Sequence, residues 1–293
     1  MAANAEVLGA TDAYADLAEV RLHYVEAGEG PLVLLLHGFP DFWYSWRHQI
    51  PALAAAGVRV VAPDMRGYNL SSKPAGVGDY AIERLTQDVR DLVDHLGAQR
   101  ASVVGHDWGA IVAWFFAMDY PERLDRLTIV NVPHPGRFID MAKSPLQAVR
   151  SWYVAFFQVP ALPEAVISAA DFATLRRVFQ AEPSAREAFD EDDVEAYVEA
   201  ARQSGNLRGP INYYRALSRR NPLELRRDNR RPIAHETLIL WGEQDAVLRP
   251  EFAAPEPDLV PKARVVRFPD AGHWVHVEEP ERVNKELIAF LTA

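Results

Sequence analysis

The sequence predicts an α/β protein: a mostly parallel central sheet flanked by helices and interrupted by a helical insertion. Three observations carry this prediction. Short, continuously apolar runs such as Leu32–Leu36 and Ala101–Val104 alternate with segments of helical periodicity; strands buried on both faces of a parallel sheet read this way. The alternation stops from about His134 to Asn221, where aromatic-rich helical stretches stand, and resumes at Thr237. Polar motifs follow directly after the apolar runs, where open parallel sheets place their ligand sites. The expected organisation is a core in two parts, residues 1–133 and 222–293, with 134–221 as an inserted helical cap.

Taken in order, Val20–Val25 sets Val20, Leu22 and Tyr24 against Arg21 and His23, the alternation of a half-exposed strand. Gly28-Glu29-Gly30-Pro31 is a turn. Leu32–Leu36 is a buried strand that ends in His37-Gly38-Phe39-Pro40 and the aromatics Phe42, Trp43, Tyr44 and Trp46. Val58–Ala62 is the next strand. Ile82–Leu96 places Ile82, Leu85, Val89, Leu92, Val93 and Leu96 at helical spacing, with Gly97 just past the end. Ala101–Val104 and Leu127–Val132 read as strands around the helical segment Ala110–Met118. In the insertion, Ser184 and Glu187 have the form of a capping box, and Val194, Tyr197, Val198 and Ala201 mark one helical face. Thr237–Trp241 and Arg264–Phe268 are strands, and Glu281–Leu291 is a helix.

Composition narrows the function classes. The net charge of −10 offers no basic field to meet phosphates, so nucleic acid is not expected as a partner. Cysteine is absent, which removes disulfides, thiolate metal sites and a Cys nucleophile. No run approaches the roughly 18 apolar residues of a membrane span. The Ala-rich start lacks the charged and apolar regions of a signal peptide, so a cytoplasmic location is expected. No His-x-x-x-His or Gly-rich nucleotide motif is present, and neither a metal nor a cofactor is expected.

The chemistry centres on Gly105-His106-Asp107-Trp108-Gly109. Small residues two before and two after a central residue mark a sharp strand-to-helix turn that exposes the central side chain. Here that side chain is a carboxylate. Attack by Ser on a saturated carbon would leave an ether; attack by a carboxylate leaves an ester, which water can cleave at its carbonyl carbon. A carboxyl with a reference pKa of about 3.9 needs no base to activate it. His273, in Gly272-His273-Trp274, is then free to activate water, and Asp245, after the strand ending at Trp241, orients it. The chain order nucleophile, acid, histidine matches that of α/β-hydrolases. The implied substrate has an electrophilic sp³ carbon with a leaving group, either an epoxide or an alkyl halide.

At these residues the chain resembles the epoxide hydrolases of the α/β-hydrolase superfamily, over nearly its whole length. The matching motifs are His37-Gly38-Phe39-Pro40, Trp43-Tyr44-Ser45-Trp46-Arg47, Gly105 to Gly109 and Gly272-His273-Trp274. The resemblance implies an α/β-hydrolase fold and two cap tyrosines that open the epoxide. They fall on Tyr153, ahead of Phe157-Gln158-Val159-Pro160, and on Tyr214, within Arg208 to Arg215. It also implies oxyanion N–H groups at Phe39 and Trp108 and a cis peptide before Pro40. Asn69 stands where the family usually has Gly; Asn tolerates positive φ better than most residues, so the turn is expected to persist. Trp43, Trp152, Phe156 and Phe157 are expected to line an apolar pocket. The expected partners are a small apolar epoxide and water, without a membrane.

Plainer readings compete. Asp107 alone reads as a helix N-cap. Asp270 competes with Asp245, and Tyr213 with Tyr214. Tyr153 could simply pack. His37 and His106 read as loop-holding residues and His134 as a hinge or core residue. The rival functions are a haloalkane or haloacetate dehalogenase on the same fold, and a non-catalytic binding protein. Phe39, the paired tyrosines, the absence of Arg after the nucleophile and the intact Asp107, Asp245, His273 set weigh against them.

Overall fold

The computed structural model describes residues 3–181, 184, 188–205, 207–220 and 228–293. Eight strands form one sheet: β1 (Thr11–Asp16), β2 (Arg21–Ala27), β3 (Leu32–Leu36), β4 (Arg59–Pro63), β5 (Ala101–His106), β6 (Leu124–Val130), β7 (Thr237–Gly242) and β8 (Ala263–Phe268). Their order is β1-β2-β4-β3-β5-β6-β7-β8. The β1/β2 and β2/β4 pairs are antiparallel and the rest are parallel. The central strands β3, β5 and β7 are buried at every residue, which is why they read as continuous apolar runs. The edges are polar. Exposed charges at β8 pair outward, Arg264 with Glu286 and Arg267 with Glu243, which blunts the edge against further pairing.

Strand β1 was not among the expected elements: Thr-Asp-Ala-Tyr-Ala-Asp is an exposed edge that buries one residue fully. Strand β6 starts three residues earlier than expected, because Leu124 pairs with Ala101. It stops at Val130 because Asn131 turns to φ 50°, outside the extended region.

Between the strands lie α1 (Gln49–Ala55), α2 (Ile82–His95) and α3 (Trp108–Asp119). Helix α2 is amphipathic and buries Ile82, Leu85, Val89, Leu92 and Val93 against the core. Helix α3 is apolar all round, and ten of its residues from Trp108 to Met118 are buried. A helix with no polar face must be enclosed, and α3 lies against β3, β5, β6 and α2.

No strand occurs between β6 and β7 among the described residues. The α-helices described there include α4 (Phe138–Lys143), α5 (Pro145–Arg150), α6 (Trp152–Phe156), α7 (Leu162–Ala181), α8 (Glu191–Gln203) and α9 (Arg208–Ser218). Because β6 and β7 are themselves adjacent, this layer leaves and rejoins the sheet at one place. Helix α7 bends where Ala170, Asp171 and Phe172 take positive φ. Helix α8 begins at a capping box of Asp190 with Asp193. Glu187 of the expected Ser184/Glu187 box, and the expected end of the insertion at residue 221, lie outside the described residues. The chain ends with the short α10 (Val275–Glu278) and with α11 (Pro280–Leu291). The Phe39–Pro40 peptide is cis, and Asn69 takes φ 36°. Among the described residues, no helix is long and apolar enough to cross a membrane.

Candidate active site

Asp107 sits at the junction of β5 and α3 with φ 49° and ψ −121°. A non-glycine residue holds such a conformation only where its surroundings over-determine it. Here they do: a Cβ on Gly109 would collide with the Leu36 carbonyl, and one on Gly38 with the Asp107 side chain. The helix therefore lies tight on β3, and the loop after β3 lies tight on the carboxylate. The Phe39 N–H donates to Asp107 Oδ1 at 2.6 Å. Trp108 is the first residue of α3, so its N–H has no acceptor within the helix. The Phe39 N–H thus holds the carboxylate from the β3 side, and the helix N-terminus that begins at Trp108 favours its negative charge.

His273 lies in the loop between β8 and α10. Its Nδ1–H donates to Asp245 Oδ2 at 2.8 Å, which turns Nε2 toward Asp107. The Nε2 to Asp107 Oδ2 distance is 3.7 Å, close enough for charge attraction and too long for a hydrogen bond. Asp245 is filled with donors: Val247 and Leu248 N–H on Oδ1 at 2.7 and 2.9 Å, and His273 and Asn131 on Oδ2. These occupy the roughly four lone-pair sites of a carboxylate and fix its orientation. Asp270 is exposed on the surface and has no part in this contact.

Burial pushes the Asp107 carboxyl up, but His273 and the Phe39 N–H pull it down further, below the ordinary aspartate value. Burial pushes His273 down, while the charges of Asp245 and Asp107 raise it well above the ordinary histidine value.

Two cavities meet at Asp107. The larger, about 490 Å³, is walled by Phe39, Trp152, Phe156, Phe157, Leu175 and His273 among others. The smaller, about 270 Å³, is walled by Ile111, Val132, Phe138, Val154, Leu217 and Leu248 among others. Asp107, Tyr153 and Tyr214 line both. Tyr153 on α6 and Tyr214 on α9 stand edge to face, ring centres 5.8 Å apart. The ring of Tyr214 also meets Phe39 and Trp108. Burial and the nearby Asp107 charge push both phenols up, so each keeps its proton and is a donor. Tyr213 is different: its hydroxyl donates to the Arg66 carbonyl at 2.7 Å, and it lines neither cavity.

Of the expected pocket aromatics, Trp152 is 64% exposed at the rim of the larger cavity, and Phe156 and Phe157 lie on its wall. Trp43 is a correction. It is 2% exposed, packs edge-on against Phe42 and Tyr44, and lines neither cavity. Its backbone N–H donates to Asp64 Oδ1, and its ring is buried in the core.

Asn131 is the participant that sequence reasoning missed. Fully buried at the end of β6, it donates to Asp245 Oδ2 at 2.7 Å and to the Gly272 carbonyl at 3.0 Å. It also accepts from the Gly242 N–H at 2.7 Å. Its positive φ directs the side chain across β7, and only the structure shows that turn. From the helical layer, Arg150 donates to the Asp245 carbonyl and Gln147 to that of Val247. Among the described residues, no group of three or more His, Cys, Asp or Glu is arranged to hold a metal.

The arrangement brings together the Asp107 carboxylate with the Phe39 N–H on it, an imidazole held by a second carboxylate and two phenols beside an apolar chamber. Comparison with known proteins adds kinship. Residues 31–280 match the model of the alpha/beta hydrolase fold family. Epoxide hydrolase 4 of Mus musculus is 39% identical over 280 residues, 93% of this chain and 76% of that protein. The AB hydrolase superfamily protein YfhM of Bacillus subtilis is 39% identical over 279 residues, 93% of this chain and 94% of its own. Among solved structures, the Bacillus megaterium epoxide hydrolase in complex with an inhibitor superposes with a TM-score of 0.88 at 34% identity. That match covers 96% of this chain and 100% of the other.

Proposed function

Because the chain belongs to the epoxide hydrolase family of the alpha/beta-hydrolase fold, we propose that it converts an apolar epoxide to a vicinal diol through an ester on Asp107. Asp107 Oδ2 attacks one epoxide carbon, and that carbon–oxygen bond breaks. Tyr153 and Tyr214 donate to the ring oxygen, and one of them gives it a proton. Water then attacks the Asp107 carbonyl carbon, and His273 takes its proton. The oxyanion rests on the N–H groups of Phe39 and Trp108. Collapse breaks the ester, the remaining proton of the added water passes to the leaving alkoxide, and the carboxylate is restored as the diol departs.

The electrostatics suit this order. In the free enzyme the Asp107 charge helps hold His273 protonated. Ester formation removes that charge, so His273 gives up its proton, which restores the tyrosine that protonated the ring oxygen, and stands neutral as the hydrolytic step begins. The base is thus released by the first step, while Asp245 keeps it oriented.

The observation that carries the proposal is that Tyr153 and Tyr214 share both cavities with Asp107. An epoxide oxygen needs a proton donor as it leaves; a halide does not. Residues 134–221 act in this reading as a cap that brings the tyrosines over the core, and Asp107, Asp245 and His273 act as a triad. The aromatic wall of Phe156 and Phe157, with Trp152 at the mouth, favours an apolar substrate. Incubation with styrene oxide and, separately, with 1-bromobutane tests the class. Diol from the first is expected; bromide from the second without diol from the first would overturn the reading in favour of dehalogenation. Neither product would point to a binding protein.

A further inference from the structure

The loop that carries His273 is gripped by an acid with no place in the scheme so far. Glu278, in α10, accepts the Gly272 N–H on Oε2 at 2.8 Å and the Trp274 N–H on Oε1 at 3.0 Å. These donors bracket His273, one residue on each side. Burial pushes the Glu278 carboxyl up, while the two N–H bonds and the neighbouring His273 hold it back. The other polar groups of the loop are held as well. The Gly272 carbonyl accepts from Asn131, the His273 carbonyl accepts from His106 Nε2 at 3.0 Å, and the Trp274 indole donates to Asp41. No strand or helix ladder serves these groups, so side chains must.

The Trp274 N–H lies in the peptide plane that follows His273, and the Gly272 N–H anchors the chain just before the plane that precedes it, so one carboxylate ties down the backbone on both sides of His273. That sets the direction of the His273 Cα–Cβ bond, and with it the position of Nε2 relative to Asp107. We infer that Glu278 is a positioning residue for His273, setting where Nε2 meets the hydrolytic water without touching the substrate. This rests on the two-step reading above. The role calls for a carboxylate, since both partners are donors. A carboxamide offers one acceptor and turns its NH₂ against the other N–H, leaving a buried group unpaired.

The inference separates the two chemical steps. Ring opening uses Asp107 and the tyrosines and needs no base, so it should not depend on Glu278. Ester hydrolysis needs Nε2 in place, and small misplacements of a catalytic group are costly. A residue that merely supports the fold would not divide the steps in this way.

Single-turnover kinetics with styrene oxide, followed by rapid quench and intact mass, gives the rate of each step in wild type, Glu278→Gln and Glu278→Ala. Ring opening is expected to stay within about twofold of wild type while hydrolysis falls about tenfold or more, so that ester accumulates at steady state. Equal losses in both steps, or no loss in either, would overturn the positioning role. If neither variant folds, Glu278 is a residue of the fold and the inference fails. Failure of His273→Gln to trap any ester is a separate result, and it strikes the two-step reading itself.

Discussion

Replacing Asn131 with Ala should weaken the fold and the chemistry together. The side chain joins three strand ends through bonds of 2.7, 3.0 and 2.7 Å to Asp245, Gly272 and Gly242. The bond to a carboxylate is worth about 1.5–3 kcal/mol, and each neutral bond about 0.5–1.5 kcal/mol. Ala at φ 50° adds roughly 1–2 kcal/mol of backbone cost that Asn avoids in part. The bonds share one side chain and do not add fully, so the expected loss is about 3–5 kcal/mol. That is a large share of a stability of about 5–15 kcal/mol. Urea unfolding followed by tryptophan fluorescence measures it, with an unchanged m-value as the check on two-state behaviour. Turnover should fall as well, because Asp245 loses a donor that orients it toward His273. Asn131→Asp sharpens the test: it keeps the acceptor for Gly242 but sets a second carboxylate against Asp245, and the two cannot both ionise at that distance. Its turnover should fall below that of Asn131→Ala. A loss under about 0.5 kcal/mol for Asn131→Ala, the range of an ordinary surface change, would refute the reasoning. So would an Asp variant more active than the Ala variant.

Tyr153→Phe and Tyr214→Phe should each slow ring opening by about 10²–10³-fold, the usual loss for one donor on a developing oxyanion, measured as diol formation under single turnover. An undiminished rate in both would remove the tyrosines from the mechanism. In Gly38→Ala the new methyl would strike Asp107 and come within 2.6 Å of the Trp108 nitrogen; activity should drop by about 10²-fold, as for a displacement near 1 Å. His23 lies between Asp64 at 2.7 Å and Asp12 at 2.9 Å. Burial lowers its pKa, but the two carboxylates outweigh that and raise it. Its contribution to stability is therefore complete below the unfolded value of about 6.5 and is lost as pH rises through the higher folded value. His23→Gln should flatten that part of the stability–pH curve, as read by urea unfolding above about pH 6.5; an unchanged slope would assign it to another group.

Legibility in the sequence followed locality. The turn at Asp107 could be read because its glycine frame spans five neighbouring residues, and their spacing itself encodes the close approach of α3 to β3. The buried strands could be read because burial on both faces leaves an unbroken apolar run. Strand β1 could not, since an edge strand ending in Asp16 and paired on one side has the composition of a loop. Asn131 was silent for another reason: its partner Asp245 is 114 residues away, and nothing near Asn131 announces the contact. Glu278 reads as one more acid at a helix, and its grip on the His273 loop exists only once the loop has folded back on α10. Trp43 misled because an aromatic cluster has the same composition whether it lines a pocket or fills a core.

The central claim is the ester on Asp107, and trapping it tests the claim most directly. His273→Gln treated with styrene oxide should gain the mass of one substrate per chain, located to the peptide containing Asp107. A single turnover of the wild type in ¹⁸O water should then leave label in that same peptide. An unmodified variant, with label found only in the diol, would contradict the account and assign the attack on the epoxide to water.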